Sequence, residues 1–250
     1  MNLLDALRSR RLLAIIRGTD PEAAVRAAVT LAEEGITLLE VSLTTPDAFG
    51  VLARVRAELG ADTDLGADSG AGIGLGAGTG RGTGIGLGAG TVVTAEDAAR
   101  AADAGAGFIV TPALTPGIAA AAERGLPLLC GALSPSEVVS AVQQGAVAVK
   151  LFPASLGGPR YLKALRDPFP AVPFVPVGGV DAEAAREYLA VGAVAVGVGS
   201  PLLGDAASGG SLSALRDRAR RFRAIADEGP VTDDGSLANE GPVADEGAGA

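Results

Sequence analysis

The chain contains no histidine and a single cysteine, Cys130. Without histidine, the Ser-His-Asp and Cys-His nucleophile pairs, histidine-ligated zinc sites and a histidine general base are all excluded. One cysteine can form neither an internal disulfide nor a cysteine-based metal cluster. Acid–base chemistry must therefore depend on Glu, Asp, Lys, Tyr or water.

Aromatic residues and lysine are also scarce: the 250 residues include six Phe, two Tyr, and 20 Lys and Arg together, of which two are Lys. Ala, Val, Leu and Gly must therefore fill the core, and small or branched side chains of this kind suit parallel strands buried on both faces. The length is typical of one (β/α)8 barrel, although it also allows two smaller domains.

The net charge of −9 is concentrated near the C-terminal end. Seven acidic residues and no Lys or Arg occur from Asp227 onward, so residues 1–226 carry 22 acids against 20 bases and no basic patch that would indicate nucleic acid. Met1–Arg11 is polar and charged, unlike a signal peptide, and no apolar run reaches the ~18 residues of a membrane span. We therefore expect a cytoplasmic protein with no nucleic-acid and no membrane partner.

Eight apolar, strand-like runs alternate with amphipathic, helix-like segments. The runs are Leu12–Arg17, Ile36–Leu43, Leu87–Val92, Phe108–Val110, Leu126–Cys130, Val147–Phe152, Phe174–Val177 and Val194–Val198. Capping residues such as Asp20, Thr94, Ser134 and Asp181 precede helical segments. This alternation predicts an α/β fold, a closed (β/α)8 TIM barrel in a single domain. We expect a helix over Leu3–Arg8 to plug its base and one near Leu212–Ala226 to close the ring.

Glycine occupies 12 of the 25 residues from Gly66 to Gly90 and every even position from Gly70 onward. A dinucleotide fingerprint needs its third Gly five positions after the first, and a phosphate loop needs a Lys, so neither pattern fits. We interpret the stretch, at about residues 66–86, as a flexible insertion in a barrel domain of residues 1–226. Residues 227–250 are acidic and rich in Gly and Pro, and we expect a disordered tail.

The last copy of the glycine repeat leads directly into a capped helix, so we assign the third strand to Leu87–Val92. The insertion would then precede that strand, on the face opposite the usual active site of a barrel. If an earlier copy formed the strand, the insertion would crowd the catalytic mouth.

Three polar residues stand at the ends of apolar runs: Arg17, Glu40 and Lys150. Barrel active sites lie at the C-terminal ends of the strands. Lys150 is the most informative, because this chain otherwise prefers Arg, and an amine can lose its proton when desolvated and attack a carbonyl. Glu40 would move protons and Arg17 would hold an anionic group. The alternatives are that Lys150 and Glu40 form a buried ion pair and that Arg17 forms a salt bridge at the end of the barrel. We expect Lys163, which belongs to a helical segment, to lie on the surface.

Gly178-Gly179-Val180 follows strand seven, and Gly197-Val198-Gly199-Ser200 ends strand eight. Phosphates in barrels commonly bind at these two loops, where backbone N–H groups are free. One glycine pair is more simply a turn, but two pairs at the two expected strand ends favour a phosphate site.

Five motifs occur in an order typical of one known family. They are Ala14-Ile15-Ile16-Arg17, Leu39-Glu40-Val41-Ser42-Leu43-Thr44-Thr45-Pro46, Gly88-Ala89-Gly90-Thr91-Val92, Lys150-Leu151-Phe152-Pro153-Ala154-Ser155 and Val177-Gly178-Gly179-Val180. Over about residues 3–222, without the glycine insertion, the chain resembles the bacterial aldolases acting on 2-keto-3-deoxy-6-phosphogluconate (KDPG) and 4-hydroxy-2-oxoglutarate (KHG).

The resemblance implies a class I aldolase of the Entner–Doudoroff route, a homotrimer of barrels without metal or other cofactor. It implies cleavage of KDPG to pyruvate and glyceraldehyde 3-phosphate, with KHG as a further substrate. By that likeness Lys150 forms the Schiff base and Glu40 is the general acid and base. The residues expected to bind substrate are Arg17 and Thr91 at the carboxylate, Phe152 by packing, and Gly178, Gly179, Gly199 and Ser200 at the phosphate.

The chain also departs from the family pattern. Thr44 stands where one branch has Arg, Val177 where many members have Thr, and Cys130 where Pro is usual. Val177-Gly178-Gly179-Val180 and Gly158-Pro159-Arg160-Tyr161 also resemble an aldolase for the galactonate epimer. Two further alternatives are a phosphate-binding barrel isomerase or synthase without a covalent intermediate, and a binding protein without catalysis.

Overall fold

The computed structural model describes residues 1–60 and 84–228. Its strands are β1 Leu12–Ile16, β2 Leu38–Ser42, β3 Gly86–Gly90, β4 Phe108–Val110, β5 Leu128–Ala132, β6 Ala148–Leu151, β7 Phe174–Pro176 and β8 Val196–Val198. All strand pairs are parallel, in the order β7-β6-β5-β4-β3-β2-β1-β8. A bridge between Val177 and Gly197 connects β7 to β8. The predicted (β/α)8 TIM barrel is confirmed.

Helices alternate with these strands. Their bounds are α1 Leu3–Arg10, α2 Pro21–Glu33, α3 Ala48–Leu59, α4 Ala95–Asp103, α5 Gly117–Glu123, α6 Pro135–Gln143, α7 Gly158–Arg166, α8 Ala182–Ala190, α9 Ser200–Leu203 and α10 Leu212–Asp227. The four predicted capping side chains all accept a hydrogen bond from a backbone N–H of the first helical turn, and two of them form capping boxes. No described helix is both long and apolar enough to cross a membrane.

The barrel strands bury both faces, as their apolar composition predicts. Alternate residues face inward and form one apolar cluster, while the others pack against the surrounding helices in a second cluster. Helix α1 contributes Leu3, Ala6 and Leu7 to the inner cluster and so closes the base. Helix α10 packs against α2 and α8 and completes the ring. Both helices confirm the sequence prediction.

Strand β3 is formed by the last copy of the glycine repeat, as predicted, and begins at Gly86. Leu87 and Ala89 face the helices, so every inward position of β3 is glycine. A side chain at Gly88 would overlap the Phe108 ring, with its Cβ 2.5 Å from Cδ2. Phe108 on β4 therefore fills the space that the glycines of β3 leave inside the barrel.

The chain enters β3 at the base of the barrel. Arg10, at the end of α1, donates hydrogen bonds to the carbonyl of Thr37 (2.9 Å) and to that of Gly84. The predicted insertion, at about residues 66–86, lies outside the described residues as far as residue 83, and the predicted tail, residues 227–250, lies outside them from residue 229. Asp227 is the last residue of α10 and Glu228 forms a salt bridge with Arg186, so the described structure extends two residues into the predicted tail. Strand β5 also begins two residues later than predicted, just past Pro127, which has no N–H to donate to a strand ladder.

Candidate active site

Lys150 lies inside the barrel, near the C-terminal end of β6. It is 4% exposed, and Ala148, two residues earlier on the same face, belongs to the inner apolar cluster. Its Nζ lies 5.2 Å from the centre of the Phe152 ring. Among the described carboxylates, none forms a salt bridge with this amine. The alternative of a direct Lys150–Glu40 ion pair is therefore not what the structure shows.

Glu40 faces the same interior from β2 and is 1% exposed. Burial raises the pKa of its carboxyl group above the ordinary value, against the opposing effect of the nearby positive charges of Lys150 and Arg17. Its Oε2 is buried and has no hydrogen-bond partner among the described residues. Glu40 is thus a desolvated acid that retains its proton to a higher pH than an exposed glutamate does.

The other predicted residues of the barrel mouth follow the strand ends. Arg17, Thr91 and Phe152 each stand one residue beyond the end of β1, β3 and β6 respectively. Arg17 is exposed but close enough to Glu40 to influence its pKa, and Phe152 is 37% exposed above Lys150. Thr91 is half-buried beside Gly90, which contacts Glu40. The C-terminal ends of parallel strands meet at one rim, so all five side chains belong to the same opening.

The loops after β7 and β8 begin side by side at this rim, because a bridge pairs Val177 with Gly197. Gly178 and Gly179 have φ values of 97° and 73°, which favour glycine. Among the described residues, no group accepts a hydrogen bond from the N–H of Gly179, Gly199 or Ser200. Three free donors therefore remain for an anion at the mouth.

The loop that follows Lys150 is held by contacts that sequence reasoning missed. Ala154 N–H donates to the Val177 carbonyl (2.8 Å), and Ser155 N–H donates to the Gly178 carbonyl (3.0 Å). The buried Tyr188 of α8 donates its hydroxyl to the Ala154 carbonyl (2.7 Å). In the sequence Tyr188 is only an apolar position of an amphipathic helix, so no local pattern indicates this contact.

Three departures from the family pattern have different surroundings. Cys130 belongs to the outer cluster, and burial raises the pKa of its thiol. Val177 lies inside the barrel directly before the Gly178 loop and brings no hydroxyl group to it. The Thr44 hydroxyl lies 2.8 Å from that of Ser42 at the end of β2. Within the described residues, no group of three His, Cys, Asp or Glu side chains is placed to hold a metal.

The site thus combines an amine and a carboxylic acid in an apolar interior with free N–H donors at its rim. A buried amine can form an imine with a carbonyl, a buried acid can exchange protons with the reacting groups, and the donors suit a phosphate. This is the arrangement that an imine-forming enzyme with a phosphorylated substrate requires.

Known proteins are similar to this chain in sequence and in structure. Residues 81–210 match the family model described as KDPG and KHG aldolase. A probable 2-dehydro-3-deoxy-6-phosphogalactonate aldolase of Rhizobium meliloti is 32% identical over 87% of this chain and 89% of its own. A 2-dehydro-3-deoxy-phosphogluconate aldolase of Treponema pallidum is 34% identical over 76% and 80%.

Among solved structures, the KDPG aldolase of Legionella pneumophila with pyruvate captured as a covalent carbinolamine is similar, with a TM-score of 0.69 and 26% identity. The similarity covers 90% of this chain and 97% of that one. Together with the relatives above, it establishes the lyase class of this enzyme. The chain belongs to the KDPG and KHG aldolase family.

Proposed function

We propose that this enzyme is a class I aldolase that cleaves KDPG to pyruvate and glyceraldehyde 3-phosphate through a Schiff base on Lys150, with KHG as a further substrate. The observation that carries the proposal is the pair of buried groups at the barrel mouth, Lys150 and Glu40, which share the interior without a salt bridge. An amine already occupied by a carboxylate would be a poorer nucleophile.

The proposed reaction begins when the neutral amine of Lys150 attacks C2 of the keto acid. The carbinolamine receives a proton from Glu40 on its hydroxyl group and loses water to give the imine. The Glu40 carboxylate then accepts the proton of the C4 hydroxyl, the C3–C4 bond breaks to release glyceraldehyde 3-phosphate, and its electrons move into the protonated imine to form an enamine. Glu40 returns the proton to C3, and hydrolysis of the resulting imine releases pyruvate and the free amine. A pKa raised above that of an ordinary glutamate suits a group that must both give and accept a proton.

The remaining residues would hold the substrate. Arg17 and Thr91 would bind the carboxylate next to the reacting carbonyl, and Phe152 would pack against the carbon chain. The N–H groups of the two glycine loops would bind the phosphate. Support comes from their common position at the rim and from the free donors of both loops.

Trapping with borohydride tests this mechanism. Incubation with pyruvate and sodium borohydride, followed by mass spectrometry of peptides, should place a stable adduct on Lys150. The exposed Lys163 of α7 is an internal control, because a surface lysine should remain unmodified. An unmodified Lys150 in an enzyme that still converts phosphorylated substrates would instead support the non-covalent isomerase or synthase.

The galactonate epimer is a second candidate substrate. It is favoured by the Rhizobium meliloti relative, whose similarity extends over 225 residues, and by the apolar Val177 beside the Gly178 loop. Pyruvate release from the two epimers, measured at equal enzyme concentration, would decide between them. A higher kcat/KM for the galactonate epimer would replace KDPG as the proposed substrate. Binding of both epimers without pyruvate release would instead favour the non-catalytic alternative.

We further propose a homotrimer. The loops after β3, β4 and β6 expose the apolar residues Val93, Leu114 and Leu156, which an interface between copies would cover. Light scattering measured on the full chain would give three protomer masses if this is right. The cytoplasmic location and the Entner–Doudoroff role stay predictions.

A further inference from the structure

We propose that Gly90 is a positioning residue for Glu40, because the space left by its missing side chain holds the Glu40 carboxyl group. The inference rests on the proposed function, in which Glu40 transfers the protons of the aldol reaction. It requires that residue 90 have no side chain, which the chemistry of Lys150 and Glu40 does not by itself demand.

The contact follows from the register of β2 and β3. Glu40 is paired with Gly88, and Ser42 with Gly90, so the Glu40 side chain extends one inward position toward the mouth and reaches Gly90. A Cβ at residue 90 would overlap Oε1 and lie 2.6 Å from Cδ of Glu40. It would also lie 3.0 Å from Cβ of Val110 on β4. The carboxyl group therefore occupies the place of a side chain on β3.

No protein group of the described residues donates a hydrogen bond to this carboxyl group. Its Oε2 has no partner among the described residues, and no described donor bonds to Oε1. Its position consequently depends on the shape of the surrounding wall. A methyl group at residue 90 would displace the acid, and no directional interaction would return it. Displacement of a reacting group by about 1 Å can reduce a rate by about 10²-fold.

The test compares Gly90→Ala with Gly88→Ala. Both substitutions add one methyl group to the inner face of β3, but at residue 88 the methyl meets the Phe108 ring and at residue 90 it meets Glu40. Two measurements separate the steps: borohydride trapping of pyruvate at equilibrium reports imine formation by Lys150, and exchange of the pyruvate methyl protons in D2O reports proton transfer.

We expect Gly90→Ala to trap pyruvate on Lys150 to the wild-type extent but to exchange its methyl protons about 10²-fold more slowly. Gly88→Ala should lower the unfolding temperature while each folded molecule exchanges within a few-fold of the wild-type rate. The inference is overturned if folded Gly90→Ala exchanges the methyl protons at the wild-type rate. It is also overturned if Gly90→Ala and Gly88→Ala lose exchange to the same extent.

Glu40→Asp provides a rescue test, because its shorter side chain withdraws the carboxyl group from residue 90. Glu40→Asp alone should slow exchange, but the Gly90→Ala/Glu40→Asp pair should exchange no more slowly than the slower single variant. If the fold-decreases in exchange rate of the two single variants multiply in the pair, residues 40 and 90 act independently and the inference is overturned. If Gly90→Ala alone does not fold, recovery of the fold in the pair supports the contact, and failure of both overturns it.

The wild-type enzyme separates this inference from the proposed function. If wild type traps no pyruvate on Lys150, the Schiff-base mechanism fails and the role of Gly90 fails with it. If wild type traps pyruvate and exchanges its protons while Gly90→Ala does the same, the mechanism stands and only the positioning role is overturned.

Discussion

The same eight strands form two different ends of the barrel interior. At the base, Leu3 and Leu7 of α1 pack against apolar inward residues such as Leu13 and Leu38, all of them buried. At the C-terminal mouth the inward residues include Lys150 and Glu40, and α1 does not reach them. The base is filled like a protein core, whereas the mouth keeps ionisable groups buried beside an opening.

The difference shows how stability and chemistry are divided along the strands. Apolar contacts at the base stabilise the fold, at about 25 cal/mol for each Å² buried. At the mouth, Oε2 of Glu40 has no hydrogen-bond partner among the residues that the structure describes, and an unpaired buried oxygen destabilises a fold. Substitutions at the base should therefore change stability, and substitutions at the mouth should change activity.

The largest effect is expected at the mouth. Lys150→Arg keeps a positive charge but removes the nucleophile, so kcat/KM for KDPG should fall at least about 10³-fold. Lys163→Arg, on the exposed face of α7, is the matched control and should keep its activity within two-fold. Circular dichroism would verify the fold of both variants. Substantial residual activity in folded Lys150→Arg contradicts the proposed mechanism.

At the base, Leu7→Ala should lower the free energy of unfolding by about 3 kcal/mol, because it leaves a cavity beneath the inner cluster. Turnover per folded molecule should stay at the wild-type level. Denaturant titration at fixed protein concentration measures the change, with exposed Arg8→Ala on the same helix expected to cost less than about 1 kcal/mol. A loss of turnover without a loss of stability would show that the two ends are not separate.

The pH dependence of stability should also distinguish the mouth. Because burial raises the pKa of Glu40, the folded state binds its proton more tightly than the unfolded state. Its contribution to stability is complete below the ordinary glutamate pKa and is lost as pH rises through the raised value. The Glu40→Gln variant has no carboxyl group at residue 40 and does not lose stability in this way. Its free energy of unfolding relative to wild type should therefore increase with pH between the ordinary and the raised pKa, by up to about 1.4 kcal/mol per pH unit.

Exposed Glu22 on α2 is the control for this measurement. Its hydrogen bond to Arg54 lowers the pKa of Glu22, so its contribution to stability is present at neutral pH and is lost as pH falls through the lowered value. Glu22→Gln should therefore be slightly less stable than wild type near neutral pH, with the difference vanishing in acid. Parallel stability curves for Glu40→Gln and wild type would show that Glu40 is not a desolvated acid.

The smallest effect is expected from shortening the glycine-rich segment. Its described neighbours, Gly60 after α3 and Gly84 before β3, belong to the base of the barrel, since β3 begins there and Arg10 of α1 contacts Gly84. Removing residues 66–80 should leave kcat and KM within about two-fold of wild type, measured with the same assay. A folded variant that loses activity would place the segment near the mouth.

Much of this enzyme can be predicted from its sequence because the relevant signals are local. Eight apolar runs, their spacing and the capping residues before the helices are sufficient for the barrel, and a polar residue at the end of an apolar run marks the mouth. A chain with 18 Arg and two Lys also singles out Lys150. The capped helix that follows the last copy of the glycine repeat identifies β3, and period-two alternation places the glycines of this strand on one face.

Contacts between distant segments were decided only by the tertiary structure. The Tyr188 hydroxyl bonds to the Ala154 carbonyl, the Glu40 carboxyl group packs against Gly90, and Lys150 forms no salt bridge with Glu40. The residues of these three pairs are 34 to 110 positions apart in the sequence. Strand register and side-chain conformation set these contacts, and no periodic pattern in the sequence encodes either. The sequence alone determined which residues line the barrel mouth, and packing decided which of their atoms meet.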